Sequence, residues 1–208
     1  MLEKKEKNQS ESLLERKEFK MIVKLDSLVS EIHKLSKKVS KDLPFHATGI
    51  EKQLQEALAF EFRKSKKPIE AVREFFGEIY YRDFPVKDYR PDFIIFPDPA
   101  WGLDSTLTIE TKFGSLKELA SGREELFRYL YSAQQSSSKE LRNSTMGLLI
   151  WWESLATDMP SGGSKADRDT LLDIDTAEYI PAEFQVVVEL WQADTDNRKK
   201  FKKIKSIS

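Results

Sequence analysis

Apolar residues spaced three or four positions apart run through a highly charged segment near the start of the chain. Between residues 10 and 39 this a/d-like spacing predicts one long helix. Its apolar positions are Ile22, Leu25, Val29, Ile32 and Val39. Ser36 interrupts the seam, and the segment spans too few heptads to define a coiled coil. The helix therefore packs either on the chain's own core or on a second copy. Pro44 predicts its end, since proline disfavours helix at the residue before it.

Two shorter helices are predicted next. Thr48 is suited to cap the first of them, whose apolar residues recur at every fourth position in one stripe. The stripe consists of Ile50, Leu54 and Leu58. Pro68 is suited to begin the second helix and Gly77 to end it. Up to this point the sequence favours helices throughout.

From Glu78 onward the pattern is typical of strands. Residues 78–86 are rich in aromatic side chains, and residues 92–96 form a compact apolar run. Proline, glycine and aspartate in residues 97–105 indicate a turn. Residues 107–113 then alternate between apolar and polar, as a half-buried strand does. The runs on either side of the turn are therefore expected to pair as a hairpin.

The remaining elements are a helix, a buried strand, a polar loop and a last strand. Ser121 and Glu124 resemble a capping box at the start of the helix. Its apolar stripe consists of Leu126, Leu130 and Ala133. Residues 146–152 are a buried strand by length and composition, residues 154–181 are a long polar loop, and residues 184–191 are the last strand. The predicted core order is helix, three strands, helix and strand, with one strand appended.

Composition limits the class of protein. The chain has 208 residues, a third of them charged, which fits a soluble α/β domain or a smaller core with an added segment. No apolar run approaches the ~18 residues that cross a bilayer, and the charged N-terminus does not resemble a secretory signal. There is no cysteine, which excludes disulfides and thiolate chemistry. No membrane association is expected, and the expected location is the cytoplasm, or the host cytoplasm if the chain is viral.

The net charge of −1 does not indicate a nucleic-acid-binding protein, but the charge is unevenly distributed. The last residues form a basic run without an acid: Arg198, Lys199, Lys200, Lys202, Lys203 and Lys205. Such a run can neutralise phosphates and release counterions. The alternative is a frayed, solvated terminus.

The strand over residues 107–113 carries the candidate chemistry. Its side chains alternate, so Thr108, Glu110 and Lys112 lie on one face, and Asp92 at the start of the preceding strand can face Glu110. Carboxylate oxygens hold Mg²⁺, and a bound metal lowers the pKa of its water. An ammonium adds positive charge where the transition state needs it. Two carboxylates and a lysine are thus the groups that cut a phosphodiester bond.

Pro91-Asp92, followed on the next strand by Glu110-Thr111-Lys112, resembles the PD-(D/E)XK motif. This motif defines a superfamily of restriction endonucleases, Holliday-junction resolvases and related repair and viral nucleases. The motif occurs here in a suitable context. Its aspartate begins an apolar strand, a gap of hairpin length follows, and its glutamate and lysine lie on an alternating strand.

The resemblance covers roughly residues 50–152 and implies an α/β fold. That fold is a restriction-endonuclease-like αβββαβ core with a mixed central sheet and an N-terminal helical extension. The implied organisation is a helical extension over residues 1–44, a nuclease domain over residues 45–195 and a basic C-terminal tail over residues 196–208.

In this family the motif acids bind the divalent metal together with the main-chain carbonyl of the residue between Glu and Lys. An acid on the helix before the sheet often completes the site. The catalytic residues implied are Asp92, Glu110 and Lys112. The metal ligands implied are Asp92, Glu110, the carbonyl of Thr111, and Glu51, with Glu56 as the second choice for the helix acid.

The activity implied by the resemblance is Mg²⁺-dependent hydrolysis of DNA, with Mn²⁺ as a substitute metal. The compact size is similar to that of resolvase-type members, so junction or branched DNA is the expected substrate and a homodimer the expected assembly. The long first helix is a candidate for the dimer interface. The helix after the motif offers polar residues to DNA in this family, here Arg123, Arg128 and Gln134.

Other readings stay open on the sequence alone. A restriction-like or general repair nuclease is the nearest enzyme alternative. A catalytically silent DNA-binding or assembly protein with the nuclease fold is another. A helical oligomerisation protein, whose acidic pair is incidental, is a third. Independently of the class of protein, Glu110 and Lys112 could be an ordinary exposed pair on the open face of a sheet.

Overall fold

The structure is a computed structural model that describes residues 24–43, 50–81, 84–154, 184–197 and 199–208. The first helix, α1, spans residues 24–42 of this part. The elements after it are α2 (Ile50–Lys64), β1 (Ala71–Arg73), β2 (Gly77–Tyr81), β3 (Phe84–Tyr89), β4 (Phe93–Ile95), β5 (Leu107–Gly114), α3 (Leu116–Ala133), α4 (Lys139–Arg142), β6 (Met146–Ser154), β7 (Phe184–Ala193) and β8 (Phe201–Ile207).

Six strands form one mixed sheet in the order β1-β4-β5-β6-β7-β8, while β2 and β3 pair separately as a hairpin. β4 and β5 are antiparallel neighbours, which confirms the hairpin predicted across the turn. β5 and β6 are parallel, and the connection between them contains α3 and α4, as parallel neighbours require a crossover. The strands predicted over residues 146–152 and 184–191 are also confirmed. The fold is therefore mixed α/β.

The seam of α1 packs on the chain's own core. Its buried side chains share one apolar cluster with α2 and with strands β4 to β7. The α1 members of that cluster are Leu28, Val29, Ile32, Leu35 and Val39. Ser36, expected to interrupt the seam, is buried as well, and its carbonyl accepts a hydrogen bond from the Trp152 indole at 3.1 Å. Of the two packing alternatives the first is confirmed for the described part of the helix, so this seam is not free to form a dimer interface.

The stripe on α2 is confirmed at Leu54 and Leu58, which are fully buried, while the side chain of Ile50 lies outside the described part. The predicted cap Thr48 lies outside the described residues, as do residues 10–23 of the first helix and nearly all of the predicted loop at residues 154–181.

The helix predicted between Pro68 and Gly77 is wrong. Residues 71–73 form β1 instead, in antiparallel register with β4. Pairing with β4 satisfies backbone groups that a helix would have satisfied locally. Consequently β1 is the first strand of the six-stranded sheet. Of the strand predicted over residues 78–86, residues 78–81 lie in β2 and residues 84–86 in β3, which pair with each other as a separate hairpin.

The capping box predicted at Ser121 and Glu124 is also wrong. The α3 capping box is formed by Ser115 and Glu118, which have the same spacing six residues earlier. The helix begins there because β5 ends at Gly114, whose φ of 129° reverses the chain without a Cβ clash. The predicted stripe on α3 is confirmed, since all three of its residues are fully buried.

Most of the predicted basic C-terminal tail forms a strand. β8 pairs with β7 at the edge of the sheet, so residues 201–207 are not frayed. Two of its lysines are ion-paired, Lys203 with Glu189 at 2.9 Å and Lys205 with Asp26 at 3.0 Å. Charge pairing thus supplies part of the anchoring that an apolar strand would take from burial.

Glu189 on β7 ties α3 and β8 to the sheet. Its side chain is 2% exposed and accepts hydrogen bonds from Arg123 at 2.6 and 2.8 Å, from Lys203 at 2.9 Å and from the Trp191 indole at 3.0 Å. Burial acts to raise the pKa of Glu189, but these donors outweigh it and lower the pKa to about 2.

Replacing Glu189 by glutamine should destabilise the protein by about 2 kcal/mol at pH 7, because it leaves two cations without their partner. A carboxyl group with a lowered folded-state pKa contributes stability above its unfolded pKa and loses it as pH falls toward about 2. The deficit of the variant should therefore shrink in acid. Urea unfolding at pH 7 and pH 3 measures it. Exposed Glu124→Gln is the control, and an equal loss in both variants would contradict the role of Glu189.

Candidate active site

Four carboxylates and one lysine meet at one end of the sheet. Glu51 lies in the first turn of α2, Asp92 directly before β4, Glu110 and Lys112 on β5, and Glu125 on α3. The register of β4 against β5 places Asp92 across from Glu110, as the sequence predicted. Two helices and two strands of the same core therefore position this site.

Lys112 links Glu110 to Glu125. Its Nζ lies 2.7 Å from Oε1 of Glu110 and 3.0 Å from Oε2 of Glu125. Glu110 is 2% exposed, and the Lys112 side chain is 15% exposed, because α3 covers this face of the sheet. The reading of Glu110 and Lys112 as an ordinary exposed strand pair is therefore wrong.

The second carboxylate oxygen of Glu110 is the least satisfied polar atom of the site. Oε2 is buried and has no hydrogen-bond donor within the described residues. Burial raises the pKa of Glu110 well above its ordinary value, and the negative charge of Asp92 raises it further. Glu125 is close enough to share a proton with Glu110, which also raises the pKa of Glu110. The positive charge of Lys112 lowers that pKa, but by less. Such a group lacks positive charge on one side.

Asp92 is oriented by the middle residue of the motif. Its Oδ2 accepts hydrogen bonds from the main-chain N–H of Thr111 at 2.7 Å and from the Thr111 hydroxyl at 2.6 Å. The side-chain amide of Gln55 on α2 donates to that hydroxyl at 2.9 Å. Burial raises the pKa of Asp92, and the Thr111 hydrogen bonds oppose the rise. Gln55, which the sequence did not single out, thus holds the orienting hydroxyl.

Glu51 faces the site and Glu56 does not. Oε2 of Glu51 accepts a hydrogen bond from the main-chain N–H of Phe113 at 3.2 Å. Its pKa is raised by burial, and the charge of Asp92 adds to the rise. Glu56 is half exposed and lies 4.0 Å from Arg73. Glu51 is the helix acid that the structure brings to the motif residues.

The three residues predicted to bind DNA do not join this cluster. The Arg123 guanidinium is engaged with Glu189, on the β7 side of α3. Arg128 on α3 and Gln134 just after it are exposed, and within the described residues neither has a hydrogen bond or ion pair with the carboxylates. Their prediction as DNA contacts stays a prediction.

Glu125, Tyr129 and Gly122 on α3 belong to the site and were missed. Burial and the charges of Glu110 and Glu125 raise the pKa of Tyr129 to about 12. A Cβ on Gly122 would lie 2.6 Å from Cγ of Lys112, so the glycine lets α3 approach β5 closely. Gly122 is four residues before buried Leu126, and that spacing is the signal that could have revealed the contact.

The donor chemistry of the cluster fits a hard divalent cation. Its carboxylate oxygens are the ligands that Mg²⁺ takes in proteins. The pKa of three of these acids is raised, with burial the largest cause and neighbouring negative charge adding to it. As the side chains stand, no three acidic or histidine residues in the described part are arranged around one point to hold an ion. The Lys112 ammonium is the cation that Glu110 and Glu125 contact instead.

Comparisons of the chain with protein-family models, curated proteins and solved structures found no match. Among the described residues, no helix has the length and apolar character needed to cross a membrane. Functional inference therefore depends on the geometry and chemistry of the acidic cluster.

Proposed function

We propose that this protein is a metal-dependent DNA endonuclease of the PD-(D/E)XK type that hydrolyses phosphodiester bonds. The observation that carries the proposal is the buried Glu110 carboxylate, across the hairpin from Asp92, with one oxygen on Lys112 and the other, within the described residues, without a donor apart from a proton it could share with Glu125. A structural ion pair would satisfy both oxygens, since an unmade buried hydrogen bond costs about 1–3 kcal/mol. In a site that binds a cation, the oxygen without a donor is available as a ligand.

The order of elements supports a restriction-endonuclease-like core. Without the β2–β3 hairpin and the four-residue helix α4, the chain runs α2, β1, β4, β5, α3 and β6, which is the αβββαβ order. The sheet is mixed, and the acids lie on its second and third strands in chain order. We infer that the hairpin is an insertion into this core.

Asp92, Glu110, Glu51 and the main-chain carbonyl of Thr111 would hold Mg²⁺, with Mn²⁺ as a substitute. When bound, the metal lowers the pKa of a coordinated water and neutralises charge on the phosphoryl group. Thr111 and Gln55 hold Asp92 in one orientation, which pre-organises the site.

Lys112 acts as a hydrogen-bond donor and not as a base. Burial acts to lower its pKa, but the charge of Glu110 and the hydrogen bonds to Glu110 and Glu125 outweigh it, so the pKa is raised. The amine therefore stays protonated at neutral pH, and its N–H groups are suited to a phosphate oxygen or the attacking water. The proton of the attacking water must then pass to another group.

The substrate and setting are parts of the same proposal. Junction or branched DNA and a homodimer follow from the motif resemblance and the compact size of the chain, and a cytoplasmic location is part of the same proposal. The buried seam of α1 does not serve as the dimer interface, so another surface would have to do so.

One observation favours a second candidate function, a catalytically silent nuclease-fold protein that binds DNA or assembles with other proteins. Lys112 is bound to both Glu110 and Glu125, and no three acids in the described residues surround a common point. A site locked by this ion pair would be a structural relic. A measurement of metal binding separates the two candidates, because only in the nuclease must Lys112 move away from Glu110 when a metal binds.

Cleavage of labelled four-way junction, duplex and single-stranded DNA tests the proposal. We expect cutting in Mg²⁺ and none in EDTA, and a loss of roughly a thousandfold or more in Asp92→Ala and Lys112→Ala. Glu124→Ala and Arg63→Ala, two separate control variants at exposed positions, should cut like the wild type. Equal cutting by all variants would place the activity elsewhere, while binding without cutting would support the silent protein.

A further inference from the structure

The acidic cluster presents a charge problem to an anionic substrate. The cluster contains four carboxyl groups and one ammonium, so when they are ionised even a bound divalent cation leaves an excess of negative charge. Each nucleotide of a DNA strand brings a further negative phosphate. A strand that reaches this site therefore needs a cationic group outside the cluster to hold it.

The β2–β3 hairpin is placed where such a group would be useful. β1 ends at Arg73 and β4 begins at Phe93, directly opposite each other, so the hairpin between them leaves the sheet beside Asp92. The main-chain N–H of Glu74 donates to the carbonyl of Asp92 at 3.1 Å. This hydrogen bond ties the base of the hairpin to the motif acid.

Arg90, at the base of the hairpin, is an exposed cation held at the edge of the site. Its carbonyl accepts a hydrogen bond from the Tyr129 hydroxyl at 2.9 Å, and Tyr129 is itself subject to the charges of the cluster. The guanidinium carbon lies 5.3 Å from the ring centre of Phe76, which is 49% exposed. Within the described residues no carboxylate forms an ion pair with Arg90. The ring positions the cation and leaves its N–H donors to a ligand.

We propose that Arg90 and Phe76 form a clamp for the DNA strand that enters the acidic cluster. The planar guanidinium binds a backbone phosphate through paired N–H donors, whose spacing matches two of the phosphate oxygens. The exposed face of Phe76 contacts the sugar or base of the same nucleotide. This inference rests on the proposed function, because the clamp holds the substrate of that site.

The clamp is tested by fluorescence anisotropy with labelled duplex and junction DNA. All proteins carry Glu110→Gln to prevent cutting, and titrations run from low to high salt in EDTA. Arg90→Ala should weaken binding about tenfold and reduce the slope of log K against log salt by about 0.9, the value for one lost phosphate contact. Arg90→Lys should keep the slope and bind less tightly, since it keeps the charge and loses the paired donors.

Phe76→Ala should weaken binding about fivefold or more and leave the salt slope unchanged. Arg63→Ala removes an exposed arginine near the far end of α2, roughly 18 Å along the helix from Glu51, and should change neither quantity. If Arg90→Ala binds with the parental affinity and slope while the wild type cuts DNA in Mg²⁺, the clamp is wrong and the nuclease stands. If the wild type neither cuts nor binds DNA, the proposed function fails and the clamp with it.

Discussion

Replacing Glu110 by glutamine is expected to stabilise the metal-free protein by about 1–2 kcal/mol at pH 8 and to abolish its stabilisation by Mg²⁺. The amide oxygen can still accept from Lys112. The amide N–H₂ takes the place of the oxygen that has no donor within the described residues, and it can donate to Glu125. The variant thus removes a buried charge and satisfies a buried atom at once. A residue kept only for stability would show the opposite sign.

The pH dependence follows from the direction of the pKa shift. Burial raises the pKa of Glu110 in the folded protein above its ordinary value of 4.5. A carboxyl group shifted in this direction contributes stability below its unfolded pKa and loses it as pH rises through the folded pKa. The free energy of unfolding of the wild type should therefore fall progressively below that of the glutamine variant above about pH 4.5. In acid the difference between the two should be small.

Urea unfolding in EDTA and in Mg²⁺, at pH 5 and pH 8, measures both effects. Glu124→Gln, one residue from Glu125 on the exposed side of α3, is the matched control and should behave like the wild type. A glutamine variant that is less stable than the wild type at pH 8, or that Mg²⁺ still stabilises, would show that Glu110 is a structural partner of Lys112 and not a cation ligand.

Local pattern predicted those parts of the fold that carry their own signal. The alternation in β5 and the stripe on α3 are periodic over enough residues to define an element without knowledge of its neighbours. β1 has three residues, and three of the seven residues of β8 are lysines without a clean alternation, so neither carries such a signal. Their conformation depends on partners far along the chain, β4 for the one and β7 for the other.

The same distinction applies to the site. Asp92, Glu110 and Lys112 were predictable together because strand alternation and one hairpin register relate them. Glu125 was not, because its place depends on how α3 is aligned against β5. The apolar stripe predicts which side of α3 faces the sheet, but not which of the helix's acids comes to lie beside Lys112.

Gly122 on α3 allows the dependence of cleavage on the position of Lys112 to be tested without replacing a charged group. In Gly122→Ala the new Cβ would lie 2.6 Å from Cγ of Lys112 and 2.8 Å from a methyl of Leu149. The methyl group ends a flexible side chain and can move, but Cγ is in the middle of the lysine stem. Lys112 must therefore shift, and its ammonium loses its present distances to Glu110 and Glu125.

We expect Gly122→Ala to reduce Mg²⁺-dependent cleavage about a hundredfold, the loss typical of a catalytic group displaced by about 1 Å. Stability should change less, because alanine gains about 1 kcal/mol of helix propensity while overpacking costs about 1–3 kcal/mol. Gly147→Ala is the control, since its Cβ would meet Leu126 at 2.7 Å under the same helix without contacting Lys112. That variant should lose stability and keep its cleavage per folded molecule. If Gly122→Ala cleaves DNA as fast as the wild type, catalysis does not require Lys112 in its present position. Lys112 would then have no role in the proposed mechanism.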